Sequence, residues 1–374
     1  MKVMNVVHTN DLIYQLSLSF IPHIGAVQAR ILIDHFGDAK AIFKAKKDTL
    51  DRLEGIGTVR ANSIKSFNDF NKAETEIRFM EKYKIAPLFL TDKNYPQRLL
   101  NCYDPPTILY YRGTADLNTS KIIAVVGTRN HSEYGRMITE ELVANLSPLQ
   151  PLIISGLAFG IDAVAHKTAL KNNLSTVAVL AHGLDCIYPS QHTLLAKNIV
   201  RESGGLLTEF PSVTKPDKHN FPSRNRVVAG MCDATVVIET GIKGGSVITA
   251  NLANTYNKDV FAYPGRITDS KSAGCNDLIK NNKAILITDA EQLIEAMGWK
   301  ENKAVVKNRQ KLLFIELTPE EKIIVEILQE KQIVSIDEIN LKSGLSSSVV
   351  AAAILNLEMQ SVIYSMPGKI YSLC

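Results

Sequence analysis

KIIAVVGTRNHSEYGRMITEELVANLSPLQPLIISGLAFGID, residues 121 to 162, reads as one strand, helix and strand unit. Its first apolar run, IIAVV (122–126), is too short for a helix and closes on Gly127, whereas the run LII (152–154) closes on Ser155-Gly156 after a segment of helical spacing. Four further runs repeat the pattern: TVAVL (176–180), TVVIE (235–239), DVFAY (259–263) and AILI (284–287). Short, continuously apolar runs separated by helices predict a parallel sheet buried on both faces, a doubly wound α/β domain. Ligands of such sheets bind beyond the carboxyl ends of the strands, so the residues that follow each run carry the functional reading.

After the first run come Gly127-Thr128-Arg129-Asn130-His131-Ser132. The glycine allows close backbone approach, Thr128 and Ser132 supply hydroxyls, and Arg129 offers a planar charged fork suited to phosphate. No G-x-G-x-x-G is present and no acidic residue ends the next strand, which argues against a nicotinamide dehydrogenase. The second run leads into Ser155-Gly156-Leu157-Ala158-Phe159-Gly160-Ile161-Asp162, with His166 one helical turn further on. Asp162 and His166 share a helix face, either as site groups or as a helix cap and a packed imidazole.

A fourth strand ends in Thr208-Glu209-Phe210-Pro211, and residues 212–226 then carry Lys215, Lys218, Arg224 and Arg226 against Asp217, with Phe221 embedded among them. Cations along a backbone beside an aromatic face suit single-stranded nucleic acid; the alternative is a solvated loop with Phe221 tucked under the sheet. Arg224, Asn225 and Arg226 are read as preceding a helix, at the same rim as Arg129. Gly244-Gly245-Ser246 opens another helix. Helix N-termini, hydroxyls and arginines converging on one crevice predict a phosphate pocket.

The rest of the chain frames this domain. It has 374 residues, 42 Lys+Arg against 38 Asp+Glu and 45% hydrophobic residues, which excludes a histone-like polycation, a mostly disordered protein and a collagen-like one. Its five cysteines are scattered with no C-x-x-C, as expected of reduced thiols in a cytoplasmic protein without a bound metal or cofactor. The start lacks a long apolar segment, and no run is long enough to span a membrane. Four regions are expected: helical 1–84, α/β 85–300, a polar linker 301–317 and a winged helix 318–374.

In the first region Leu53-Glu54-Gly55-Ile56-Gly57 resembles a helix-hairpin-helix turn, and Ile21-Pro22-His23-Ile24-Gly25 echoes it with His23 in place of the first glycine. Such turns either approach a phosphate with their amides or serve packing. The last region opens with Thr318-Pro319-Glu320-Glu321, a helix start, and continues through two helices to a hairpin at Pro367-Gly368. Its candidate recognition helix, SSSVVAAAILNLEMQ (346–360), has no Lys or Arg, and residues 318–374 carry 4 basic against 7 acidic side chains. A major-groove reader needs basic or amide side chains, so this winged helix is read as a protein-interaction module. Positive charge lies instead in residues 1–90 (13 basic, 10 acidic) and 121–290 (17 basic, 14 acidic).

Seven segments together, GTRNHSEYG, SGLAFGIDAVAH, LAHGLDCIYP, GLLTEFP, HNFPSRNRVVAG, GGSVITANLA and DVFAYPGRI, closely resemble the DNA-processing protein A family (DprA, also called Smf) in order and spacing. The resemblance covers roughly residues 85 to 290, and the flanking helical and winged-helix regions match the family architecture more weakly. It implies an extended Rossmann fold with a helix-hairpin-helix (SAM-like) N-terminal domain. It also implies a homodimer that binds and protects single-stranded DNA and helps to load the RecA recombinase in natural transformation. Under it, Arg129 and the Ser155-Gly156 turn are the phosphate-binding positions, with Arg224, Asn225, Arg226, Gly245 and Ser246 lining the same pocket. The candidate site as a whole comprises Gly127, Thr128, Arg129, Ser132, Ser155, Gly156, Leu157, Ala158, Gly160, Asp162, His166, Lys218, Phe221, Arg224, Asn225, Arg226, Gly244, Gly245 and Ser246.

The competing class is an enzyme. Nucleotide phosphoribohydrolases of the lysine-decarboxylase-like type have a similar Gly-Gly-x-x-Thr turn, but a catalytic Glu follows theirs and Ala250-Asn251-Leu252 follows this one. Glu209 and Glu239 are the acids left for such chemistry. Ser155 stands in I-S-G-L-A rather than in a G-x-S-x-G elbow. A non-enzymatic binding protein is expected.

Overall fold

The computed structural model describes residues 6–300, 317–331, 333–360, 362–366 and 368–373. Residues 1–5, Pro367, Cys374 and the expected linker apart from Leu317 lie outside them. The chain divides into two compact units between Ala290 and Glu291.

Six helices open the first unit: α1 (Val6–Phe20), α2 (Ala26–Phe36), α3 (Ala39–Lys44), α4 (Lys47–Asp51), α5 (Gly57–Ser66) and α6 (Phe70–Tyr83). Their apolar faces close on Leu16, Leu32, Ile42, Leu50, Ile64 and Ile77. The two turns read from the sequence join α1 to α2 and α4 to α5. Gly55 is left-handed at φ +82°, and His23 adopts the same conformation at φ +67° where the first turn lacks a glycine. Arg60 ties the turns together, donating from Nε to the His23 carbonyl (3.2 Å) and from Nη1 to the Gly55 carbonyl (3.2 Å).

The α/β part follows as β1 (Ala86–Phe89), α7 (Gln97–Leu100), β2 (Ile108–Gly113), β3 (Ile122–Val126), α8 (Glu133–Leu146), β4 (Leu152–Ser155), α9 (Ile161–Lys171), β5 (Thr176–Val179) and α10 (Thr193–Arg201). It continues with β6 (Gly205–Thr208), α11 (Asn220–Met231), β7 (Ala234–Val237), α12 (Gly245–Thr255), β8 (Asp259–Ala262), α13 (Ala273–Lys280) and β9 (Ile285–Leu286), and α14 (Ala290–Ala296) begins at the division between the units. The strands form one sheet in the order β1-β2-β6-β5-β4-β3-β7-β8-β9. From β6 to β9 every neighbouring pair is parallel, as the apolar runs predict.

Two strands depart from that prediction. β2 pairs antiparallel with β6, and β1 antiparallel with β2. Their alternating side chains join two cores: Phe89, Ile108 and Tyr110 pack among the N-terminal helices, whereas Leu88, Leu109 and Tyr111 face the α/β interior. The helical region is thus sewn onto the edge of the sheet. α8 packs on α9 and α9 on α10, while α11 packs on α7 and α12, so the central strands are covered on both faces. Every residue of β3, β4, β5 and β7 is buried.

The second unit contains α15 (Pro319–Glu330), β10 (Val334–Ser335), α16 (Ile336–Ser343), α17 (Ser347–Met359), β11 (Ile363–Met366) and β12 (Ile370–Leu373) around Ile324, Leu328, Ile339, Ile354 and Leu357. Its strands pair in the order β10-β12-β11, the sheet of a winged helix. Thr318 starts α15 with a reciprocal cap: its hydroxyl accepts from Glu321 N–H (3.3 Å), and the Glu321 carboxylate accepts from Thr318 N–H (2.9 Å). Among the described residues no helix is long and apolar enough to cross a membrane.

Candidate nucleic-acid interface

The sheet order reverses at β3. Its neighbours β4 and β7 continue the chain on opposite sides, so the loops after β3 and β7 diverge and leave a crevice. Backbone contacts lace its walls: Thr128 N–H donates to the Glu239 carbonyl (2.7 Å), and Ile161 N–H to the Thr128 carbonyl (3.2 Å). This approach requires Gly160, which sits at φ +82° and whose Cβ, were there one, would overlap the Thr128 carbonyl.

The crevice holds a cavity of about 340 Å³. On its floor lies Arg224, 8% exposed, with Nη1 donating to the Val179 carbonyl (3.1 Å) and 4.0 Å from Asp162 Oδ2. The Arg224 Nε–H and the Ser246 hydroxyl are buried without a protein partner. Burial drives the Asp162 carboxyl up in pKa although Arg224 pulls it down, and it drives Arg224 down. A desolvated guanidinium that lacks one of its acceptors is costly. Gly156 makes room for this arginine, since a Cβ there would overlap Nη1.

At the rim Arg129 is exposed, its guanidinium carbon 5.1 Å over the centre of the Phe221 ring, within cation–π range. α12 points its first turn at the same space. A Cβ on Gly245 would meet nothing within 4 Å, and the positive end of the helix dipole lies there. Of the residues expected from the sequence, Gly127, Thr128, Arg129, Gly156, Ala158, Asp162, Phe221, Arg224, Asn225, Gly244, Gly245 and Ser246 line the cavity.

The structure does not bring the other seven into it. Ser155 is fully buried and spends its hydroxyl on the Val125 carbonyl (2.6 Å). Ser132 caps α8, accepting from Gly135 N–H (3.1 Å) and donating to the Glu239 carboxylate. Gly160 shapes the wall, and Leu157 lines a smaller apolar recess next door with Phe159 and Tyr188. His166 is fully buried, its ring nitrogens on Thr176 Oγ1 (2.7 Å) and the Gly156 carbonyl (2.6 Å). Burial lowers its pKa to about 4, so at neutral pH it has no charge to offer a phosphate. Lys218 stands exposed on the loop before α11.

Arg226 is the plainest correction. α11 begins at Asn220, so Arg224 to Arg226 lie in its second turn rather than ahead of it. Two residues turn a helix by about 200°. Arg226 therefore points away from the cavity, pairing with Glu209 and the Asp104 backbone carbonyl. Val126, Val228, Thr240, Gly241 and Thr249 also line the cavity and were not anticipated. Thr240-Gly241 directly follows the TVVIE run and is legible from the strand-end rule, whereas Val228 becomes visible only once the start of α11 is known.

The acids that a hydrolase would use are engaged elsewhere: Glu239 holds the Ser132 amide (2.8 Å) and Glu209 pairs with Arg226. Among the described residues no group of three His, Cys, Asp or Glu side chains is placed to hold a metal ion.

The chain matches the family model for DNA recombination-mediator protein A over residues 86–298, a helix-hairpin-helix motif over 12–77 and the DprA winged helix domain over 315–369. It is 33% identical to Protein Smf of Synechocystis sp., the alignment covering 96% of this chain and 98% of that one. It is 36% identical to the DNA processing protein DprA of Streptococcus pneumoniae over 58% of this chain and 81% of the relative. The crystal structure of that DprA superposes with a TM-score of 0.64 at 31% identity, covering 79% of this chain and 98% of that one. DNA processing protein A from Helicobacter pylori, whose structure was described for its single-stranded DNA binding mode, gives a TM-score of 0.53 at 29% identity over 58% of this chain and 97% of that one. With more than half of its length in the family model and a relative aligned almost end to end, this chain belongs to the DNA recombination-mediator protein A family, the DprA/Smf proteins.

Proposed function

We propose that this chain is a non-enzymatic binding protein that grips the sugar-phosphate backbone of single-stranded DNA in the cavity between β3 and β7. The observation that carries the reading lies in the cavity's lining: a buried arginine whose Nε–H has no protein partner and a serine whose buried hydroxyl has none either. A phosphate oxygen answers both. Arg129 at the rim takes the next negative charge, and Phe221 offers a face on which a base stacks, worth about 1 to 3 kcal/mol per base and tolerant of sequence. A recessed site of this kind favours a strand whose backbone bends and whose bases are free, which duplex DNA does not provide.

In the cell such a grip protects incoming single strands and presents them to the RecA recombinase in natural transformation and recombination. That part rests on the family and its name as a recombination mediator rather than on a surface of this chain. As a homodimer, the protein sets two cavities on one strand and gains avidity through effective concentration. The test is fluorescence anisotropy with a labelled single strand and the same strand annealed to its complement. Binding of the single strand at least about tenfold tighter is expected; equal affinity overturns the reading. Release of free base from nucleoside monophosphates above background would revive the hydrolase.

A further inference from the structure

The loop that brings Phe221 to the cavity stands with its foot on the N-terminal helical region. Glu76 of α6 is 5% exposed and accepts two hydrogen bonds from a single residue, Ser212 N–H to Oε1 at 2.9 Å and Ser212 Oγ–H to Oε2 at 2.5 Å. The next residue, Val213, sits at φ +67°, a conformation that β-branched side chains rarely adopt. Its side chain is 76% exposed, so packing does not compensate. The backbone around it is held instead: Val213 N–H donates to Asp185 Oδ1 (3.0 Å), and the Thr214 carbonyl accepts from Gly183 N–H (3.0 Å). A strained residue of this kind persists only where its surroundings over-determine it, and such residues concentrate at functional sites.

From this turn the chain runs with little freedom into the site. Asp217 accepts from His219 N–H (2.8 Å) through its carboxylate and from Asn220 N–H (3.0 Å) through its carbonyl, and α11 begins at Asn220. Phe221, under the Arg129 guanidinium, is the next residue. We infer that Glu76 is a positioning residue for the nucleic-acid site: by holding Ser212 it fixes the strained turn at Val213 and thereby sets the loop that presents Phe221 beneath Arg129. The N-terminal region then governs affinity without touching DNA. The inference rests on the single-strand reading of the cavity.

Electrostatics alone gives the opposite sign, because removing a carboxylate near a polyanion site strengthens binding. The experiment uses the full chain, a labelled oligothymidylate and anisotropy at fixed salt. Glu76→Ala is expected to weaken binding about fivefold, and Glu76→Gln to restore it to within about twofold, since the amide accepts from Ser212 N–H and donates to Ser212 Oγ. Exposed Glu74, on the same helix, is the charge control, and Glu74→Ala should bind as well as wild type or slightly better. Phe221→Ala should also cost less affinity in the Glu76→Ala background than in the wild type, a coupling that a general loss of stability does not produce.

Should Glu76→Ala fail to fold, Ser212→Ala removes part of the same contact from the loop side and is expected to weaken binding about threefold. Wild-type or tighter binding by Glu76→Ala, or by Ser212→Ala in its place, overturns the inference while Arg129→Ala and Phe221→Ala still bind weakly. Additive losses for Glu76→Ala and Phe221→Ala overturn it too. If Arg129→Ala and Phe221→Ala themselves bind as wild type, the single-strand reading falls and this inference with it.

Discussion

The β3–β7 crevice and the winged helix each turn the start of a helix and a loop toward solvent, yet their chemistry differs. At the crevice one arginine is exposed over an aromatic ring, and another is buried with an Nε–H that has no protein partner. On the winged helix, α17 exposes Val349, Leu355 and Met359 and carries no cation. The first surface gathers guanidinium groups and a helix start around a cavity, and the second is apolar and set in an acidic module. A net charge of +4 is an average over the two and describes neither. The number of cations decides less than where a desolvated one is held.

If the crevice depends on its buried arginine, Arg224→Ala is the change of largest effect. It leaves Asp162 buried without a cation, which should cost about 3 kcal/mol of stability in urea unfolding and abolish single-strand binding. Retained stability and binding would place the grip elsewhere. Next comes pH. His166 has a folded-state pKa of about 4 against the ordinary 6.5, so the folded unit resists a proton that the unfolded chain accepts. Its contribution is therefore complete above about pH 6.5 and shrinks as the pH falls toward 4, by about 2 kcal/mol at pH 5. Urea midpoints measured from pH 7 to 5 should fall accordingly, and the fall should flatten in His166→Gln. A profile unchanged by that substitution would show that the buried imidazole is not the group being titrated.

Phe221→Ala should weaken single-strand binding by about 1 to 3 kcal/mol while leaving the salt dependence as it was, because a stacking face neutralises no phosphate. A changed slope would mean that the ring acts through Arg129 and not through a base. The smallest effect is expected from the other region. Deleting residues 318–374 should change single-strand affinity by less than about twofold, as a module without cations at its recognition helix adds little to a phosphate contact. A large loss would erase the contrast between the two surfaces.

Much of this contrast is legible in the residue order. The apolar runs announce the parallel strands, and Arg129, Gly156 and Gly244-Gly245-Ser246 follow from reading what comes after them. The antiparallel pair at the sheet edge is less visible, since β1 and β2 serve two cores at once and show no one-sided alternation. Inside the site, the errors come from helix phase and from burial. Starting α11 after Arg226 instead of at Asn220 puts Arg226 beside Arg224, although about 200° of helix separates them. Ser155 and His166 have the right chemistry at the right spacing, but neighbouring carbonyls and a threonine from other strands take up their polar atoms, and no local pattern records such long-range partners.

The most direct measurement is single-strand binding by the wild type and Arg129→Ala across a salt series. If Arg129 neutralises one phosphate, the variant binds more weakly and the slope of log K against log salt is shallower by about 0.7. Equal affinities with equal slopes would contradict the assignment of the cavity as the single-strand site.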